Sequence, residues 1–464
     1  MITYFKRKFH NLISDKKFSE ILTGSGWAAG AHVIAMGLTM ITSIIIVRVY
    51  GAEVMGIVAV INSFLMLGTI FTVLGTNTSV LRLIPEHLTK YSVSSAFKVY
   101  RKTQYFVAGV SVITSGLLFF SSSLIADKIF SKPHLSFLFT LAAFFVIFKS
   151  LMILNTQAVR GLRLIRTFAF MQLLPYLSML LILIAMTFLF FNQYNPVYAL
   201  FASFMVTALV GVLIMDREFK NKIGQRDAVQ EMPIKNIISI SAPMFMTATT
   251  TFVIGQTGVI MLGMFRSEAE VGYYAIAVKL ATLISFLLSA ISSLAAPIFS
   301  ELYHSGKMDE LFHVAKKSTK LIFWTTSPIL LTLVAFGKPI LRLLFGQEFT
   351  QAYLALVFLA VGQFIHSVSG STGYFMNMTG NQLILTKIRI ATAFINVVLG
   401  LLFIPKLGIY GAAIAGMFGI SFWNIYVLVV IKRKFGKTIG YFPFASFAFN
   451  RLKKTISMAK SPKK

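Results

Sequence analysis

The sequence predicts an all-α membrane protein, with about twelve transmembrane helices in two six-helix lobes around a central cavity. Three observations carry this. The chain has 464 residues, of which 56% are hydrophobic and only 12% charged; soluble domains average about 25% charged. Apolar runs recur from Gly24 to Ile431, each near the ~20 residues that cross a hydrocarbon core. One polar stretch interrupts them, DREFKNKIGQRDAVQEMPIK from Asp216 to Lys235, with six spans on either side.

The spans fall near 24–50, 55–76, 103–126, 133–156, 167–191, 196–215, 236–265, 271–300, 319–345, 350–378, 384–404 and 408–431. This divides the chain into a basic N-terminal segment 1–23, a first lobe 24–215, a linker 216–235, a second lobe 236–431 and a basic tail 432–464. The first run is too long for the apolar core of a signal peptide, so no cleaved leader is expected. There is no cysteine, hence no disulfide framework and no thiolate chemistry.

The net charge of +28 does not imply nucleic acid. With the N-terminus inside, and charges toward span ends counted with the adjoining loop, 34 of the 43 Lys and Arg fall on one side of the membrane and 7 on the other, leaving Lys149 and Lys279 deep within spans. That bias is the rule for cytoplasmic loops, and it places both termini in the cytoplasm. Lys6, Arg7, Lys8, Lys16 and Lys17 lead in as an amphipathic, lipid-attracted segment. Phe442, Phe444, Phe447 and Phe449 in the tail are candidates to rest on the membrane surface.

Within the first lobe, the first span carries His32 and ends at Arg48, before the turn Tyr50-Gly51-Ala52-Glu53. The connection after the second span, with Pro85 and five basic residues, reads as a loop. The fourth span carries Lys149 among Phe144, Phe145 and Phe148. Lys149, Ile153, Thr156, Arg160 and Arg163 share one helix face if the helix continues, a stripe about 21 Å long. The fifth and sixth spans are plain and aromatic.

In the second lobe, the eighth span, VGYYAIAVKLATLISFLLSAISSLAAPIFS, holds one charge, Lys279. A lysine there costs about 2.5–3.5 kcal/mol on insertion scales, so it must face protein or a wet cavity. Thr282, Ser289 and Ser293 fall on its face. Two readings are open: Lys279 snorkels to an interface, or it lines a path for an anion. Residues 301–320 read as amphipathic. The tenth span, VGQFIHSVSGSTGYFMNM, is the most polar, with Gln363, His366, Gly370, Tyr374 and Asn377 at helical spacing; close helix packing and a pore lining are both open.

All 15 acids lie in loops or at helix ends. Ion-coupled exporters of cationic drugs need an intramembrane carboxylate; lysines stand here instead, and lysine and arginine suit phosphate. Enzyme, cofactor and metal signatures are missing. Gly436-Lys437-Thr438 ends like a phosphate loop, but the required earlier glycine is Ile431.

Several segments resemble the polysaccharide or O-antigen flippases of the multidrug/oligosaccharidyl-lipid/polysaccharide exporter superfamily. They are VRVYGAEVMGIVAVINSFLMLGTIFTVLGTNTSVLRLIPE, AVRGLRLIRTFAF, VIMLGMFRSEAEVGYYAIAVKL, LLFGQEF and PKLGIYGAAIAG, in that order. The halves also resemble each other, Gly56 aligning with Gly272 after short turns bearing Glu53 or Glu270, as in a parallel repeat.

The resemblance implies a bacterial inner-membrane flippase that moves undecaprenyl-diphosphate-linked oligosaccharide by alternating access. Polysaccharide polymerase machinery and membrane lipids are the expected partners, and no cofactor or nucleic acid. Lys279 and Lys149, with Arg48 and Arg160, are the expected diphosphate ligands; Gln256, Thr257, Asn377 and His366 are the expected polar contacts. Many relatives carry an aspartate where this chain has Gln256-Thr257-Gly258, which argues against carboxylate coupling. The alternatives are a cation-coupled drug antiporter of the same superfamily and a non-transporting scaffold of a polysaccharide synthesis complex.

Overall fold

A computed structural model describes residues 16–221, 230–441 and 443. Lys6, Arg7, Lys8, part of the central linker and Phe442, Phe444, Phe447 and Phe449 lie outside the described residues, as does the Ser293 side chain.

The described chain is helical. In order it forms α1 (Lys16–Ile45), α2 (Gly51–Val73), α3 (Thr76–Lys90), α4 (Val93–Leu124), α5 (Ser136–Gly161), α6 (Ile165–Leu189) and α7 (Asn195–Lys220). There follow α8 (Ile234–Phe265), α9 (Glu268–His304), α10 (Met308–Phe345), α11 (Tyr353–Ser369), α12 (Thr372–Met378), α13 (Gln382–Leu407) and α14 (Ile409–Phe435). Among the described residues eleven stretches are long and apolar enough to cross a membrane. The first, Gly30–Val73, contains two crossings. A π-helical turn, Ile46–Tyr50, runs into Gly51 at φ +89, a left-handed conformation that suits glycine. Ser43 and Asn62, on either side of it, line the same cavity, so the chain reverses there. Phe188, Leu189, Phe190 and Phe191 are 86%, 71%, 75% and 69% exposed, a contiguous apolar surface that suits lipid.

Local chemistry sets the helix ends. Ser267 accepts from the Glu270 N–H at 3.3 Å, and Glu268 and Glu270 sit in the first turn of α9, where the helix dipole favours anions. Ser92 caps α4 by accepting from the Ser95 N–H at 3.1 Å.

Three elements differ from the sequence reading. The supposed loop after the second span contains α3. Thr76, Ser79, Val80, Leu83, Ile84 and His87 form its buried face, with Arg82, Glu86 and Lys90 opposite; Pro85 sits inside it. The tenth span is not one helix. Gly370, at φ +79, separates α11 from α12, so Gln363 and Asn377 do not share a face. Finally, α5 ends at Gly161, which packs against Val80 and Ile84, and Arg163 adopts φ +58. The predicted stripe therefore stops before Arg163.

Helices α1 to α7 pack mainly among themselves, as do α8 to α14; the two groups meet chiefly through α2 against α9 and α8. One end of the bundle, the turn face, carries the short connections at 50–51, 129–136, 189–195, 265–268, 345–353 and 407–409. The other, the linker face, carries α3 and the connection 221–233. Toward the turn face a single apolar core runs through both groups, from Ile46, Ile61 and Phe139 to Leu262, Ile276 and Phe349. Toward the linker face the core is divided, with Tyr100, Val107 and Phe219 in one cluster and Phe299, Phe312 and Phe375 in another. A small patch of Leu83, Val99 and Ile237 bridges them.

Candidate functional site

The undivided core seals the turn face. Gly56 and Gly272 lie where α2 and α9 nearly touch: a Cβ on Gly56 would fall 1.8 Å from the Glu268 carbonyl oxygen, and one on Gly272 would fall 2.1 Å from that of Ala52. Only glycine fits on both sides. Glu268 reaches across the lobes to an ion pair with Lys132 and to the His134 ring, each at 3.2 Å. Arg48 crosses too. Its Nε donates to the Leu344 carbonyl at 3.0 Å and its Nη2 to the Arg342 carbonyl at 3.2 Å and to that of Leu343. It thus binds carbonyls in the last turn of α10, where the dipole favours a cation.

Behind this seal is a cavity of ≈ 560 Å³, walled by α1, α2, α5, α6 and α7 on one side and α8 and α9 on the other. Lys149 and Lys279 both line it. Lys279, half-buried, lies eleven residues into α9, about 16 Å from the turn face. Its Nζ donates to Ser43 Oγ at 2.6 Å. Ser43 is free to accept because its own hydroxyl donates to the Thr39 carbonyl at 2.7 Å. Lys149 is only 5% exposed. Its Nζ donates to Asn62 Oδ1 at 2.8 Å and stands 4.7 Å from the Phe204 ring centre, a cation–π contact. Gln256 accepts from Ser63 Oγ at 2.7 Å, a second polar bridge between lobes. Among the described residues no acidic side chain lines the cavity. Two cations, hydroxyls and amides in an apolar shell can hold a compact polyanion.

Several expected site residues lie elsewhere. Arg48 is in the turn-face seal, because α1 extends past the cavity before it turns. Arg160 is exposed near the linker-face end of α5, its guanidinium 5.4 Å from the Phe168 ring centre. Thr257 is buried within the second lobe, donating to the Val253 carbonyl at 2.5 Å and packing near Gly400; one residue along a helix from Gln256 is a 100° turn away. Asn377 is exposed on α12. His366 lines a separate pocket within the second lobe. The polar face expected on the eighth span also divides: Thr282 stays beside Lys279, whereas Ser289 faces that second pocket.

Sequence reasoning missed Asn62, Ser43, Tyr176 and Phe204. Asn62 was detectable as an amide in the middle of an apolar span. Tyr176 and Phe204 sit in spans with no polar pattern, and only packing brings them to the cavity.

A family model described as polysaccharide biosynthesis protein matches residues 21–303, and one described as MatE matches residues 243–402. An uncharacterised membrane protein of Methanocaldococcus jannaschii is 25% identical over 235 residues, 49% of this chain and 46% of that protein. A probable low-salt glycan biosynthesis flippase, Agl15, of Haloferax volcanii is 24% identical over 160 residues, 34% of this chain and 33% of that protein. The matched stretches span less than half of either relative. Among solved structures, the lipid II flippase MurJ in an inward closed conformation matches with a TM-score of 0.72 and 14% identity, covering 94% of this chain and 93% of that one. An inward-facing multidrug resistance MATE family transporter of the MOP superfamily matches with a TM-score of 0.66 and 16% identity, covering 86% and 94%. At these identities the likeness is one of fold.

Proposed function

We propose that this chain, which belongs to the polysaccharide biosynthesis protein family, moves a lipid-linked oligosaccharide between membrane leaflets, its diphosphate held by Lys149 and Lys279. The observation that carries this is the pair of lysines in one interlobe cavity lined by no acid. In a low-dielectric site a lysine–phosphate contact is stronger than at a wet surface. A volume of ≈ 560 Å³ accommodates the diphosphate and adjoining groups; the prenyl chain lies in lipid and the distal glycan reaches toward water. Undecaprenyl is the carrier proposed for a bacterial inner membrane, although both curated relatives named above are archaeal. The role is export of O-antigen or another polysaccharide, upstream of a polymerase.

The basic residues favour the linker face as cytoplasmic. The divided core then opens toward the cytoplasm, where the lipid-linked precursor is assembled, while the glycine contact, the Glu268 contacts and Arg48 close the outside. Transport requires that seal to part and the linker face to close. A drug antiporter is the second reading, favoured by the match of residues 243–402 to the MatE model. Its weakness for cationic cargo is the acid-free cavity.

The test is complementation. The chain restores polymer in a strain lacking its own flippase, and the double variant Lys149→Ala, Lys279→Ala, at normal membrane abundance, does not. Reporter fusions at Asp227 read cytoplasmic and at Asn195 external. Full polymer from the double variant, or an external reading at Asp227, overturns the proposal.

A further inference from the structure

The second lobe holds a cavity of its own, of ≈ 410 Å³, among α8, α9, α11, α12, α13 and α14. Arg389, two turns into α13, lines it with His366. By sequence Arg389 counts as one more cation near a cytoplasmic loop, yet here its guanidinium is turned inward. Its carbon lies 5.1 Å from the Trp423 ring centre, and the His366 ring is 5.4 Å from the same indole. A Cβ on Gly373 would fall 3.6 Å from Arg389 Nη2, so the fork reaches the break between α11 and α12. Among the described residues Arg389 has no carboxylate partner, and the second lobe's acids all stand at helix ends.

A cation–π contact serves one face of a guanidinium and leaves its N–H donors, which lie in the plane, unused. Arginine does not lose its proton to relieve burial, as a lysine can. The pocket needs an anion to complete it. The pocket is also lined by further groups able to donate, Gln363 and Tyr374. A guanidinium fork flanked by an amide and a phenol suits the several oxygens of a phosphate.

We propose that this pocket is a second anion site, in which Arg389 holds one phosphate group. Its lining is distinct from that of the lysine cavity: Gly255 is the one described residue that lines both. The site's occupancy does not depend on what the lysine cavity carries. The phosphate comes from solution or from a phospholipid headgroup.

The test uses the full chain with Trp27→Phe and Trp324→Phe, leaving Trp423 as the sole indole of three. Inorganic phosphate, titrated in detergent against chloride at equal ionic strength, should change Trp423 emission saturably. The response should weaken on the order of tenfold in Arg389→Gln, which loses charge and fork together, and should persist in part in Arg389→Lys. It should be unchanged in Lys149→Gln, Lys279→Gln. Gln363→Glu gives a second route, supplying an internal carboxylate to Arg389 and abolishing the response in a chain that keeps its fold. Repetition in nanodiscs identifies the source. A response kept in both phosphatidylcholine and phosphatidylglycerol discs assigns the free ion, and one lost only in phosphatidylglycerol assigns the headgroup. No saturable response in the starting chain, or one that survives both Arg389→Gln and Gln363→Glu, overturns the proposal, as does its loss in the lysine double variant.

Discussion

The two walls of the central cavity each present a lysine but hold it differently. On the first-lobe wall Lys149 is enclosed by its own lobe: Asn62 from α2 accepts its proton, and Phe204 from α7 covers it. On the second-lobe wall Lys279 is half-buried, and its hydrogen-bonding partner is Ser43 from the opposite lobe. Gln256 repeats that dependence through Ser63. If the lobes rearrange as the proposed alternating access requires, Lys149 travels with its partners, whereas Lys279 and Gln256 lose theirs. One wall offers a fixed charge, and the other offers groups that lobe movement exposes or occupies. A two-state transporter can use that asymmetry, because a ligand shifts an equilibrium only through contacts that differ between states.

The largest expected effects come from reversing or deleting the movable charge. Lys279→Glu would set like charge against the proposed diphosphate and should abolish polymer production in a flippase-null strain. Lys279→Ala should lower it at least about tenfold, on the scale of one charge-assisted contact, at normal membrane abundance, since removing a buried charge relieves an insertion cost. Wild-type polymer from Lys279→Ala would remove this residue from the site.

Arginine substitution sharpens the comparison. Lys279→Arg should keep much of the activity, because its end of the cavity has room and charge is retained. Lys149→Arg should lose several-fold more, since Asn62 and Phe204 fill the space around Nζ and overpacking costs about 1–3 kcal/mol. Polymer yield and membrane abundance together decide it. Equal tolerance at both positions would mean the walls are not distinguished by enclosure.

Much of the fold was legible in the sequence, and the reasons are local. Spans follow from apolar length. Lys149 and Lys279 stand out because a charge within a span is rare. The missed features depend on backbone breaks or packing. Pro85 disguised α3, although its buried positions recur at helical spacing. Gly370 broke a periodicity that looked continuous. Arg389 was hidden by its own charge type, since a cation near a helix end satisfies the positive-inside rule wherever it points. Arg48 was misplaced because composition does not say how far a helix extends past the cavity it borders.

A third prediction separates the two ends of the second-lobe wall. With no acid lining the cavity, Glu53→Gln, Glu270→Gln and Glu301→Gln should each leave polymer production within about twofold of wild type, as weak or exposed charge contacts do. Glu268→Gln should be the exception, because it ends the ion pair with Lys132 and weakens the contact with His134 across the turn-face seal. Cysteine labelling from outside the cell reads the seal directly, since the natural chain has no cysteine. A Ser43→Cys reporter placed behind the seal should react faster when combined with Glu268→Gln. Loss of activity in Glu53→Gln or Glu301→Gln, with Glu268→Gln silent, would put ion coupling on a carboxylate after all.

The smallest expected effect tests the bridge itself. Ser43→Ala removes the hydroxyl that Lys279 donates to and leaves the lysine in the cavity. The side chain is short, and Thr39 keeps an ordinary helical carbonyl, so folding should be little changed. A hydrogen bond to a charged group contributes about 1.5–3 kcal/mol, but Lys279 faces a cavity where water replaces most of that. The net shift should be about 1 kcal/mol or less, a few-fold change in the balance between the state with a closed turn face and its alternative. The direction is fixed by geometry: Ser43 and Lys279 belong to different lobes and meet in the closed state, so Ser43→Ala should favour parting of the turn face. Labelling of a cysteine placed at Ser63, also behind the seal, should rise a few-fold, while the matching Asn62→Ala change, made within one lobe, should leave that labelling unaltered. If Asn62→Ala moved the labelling and Ser43→Ala did not, the lysine tied to lobe movement would be Lys149, and the comparison between the two walls would be reversed.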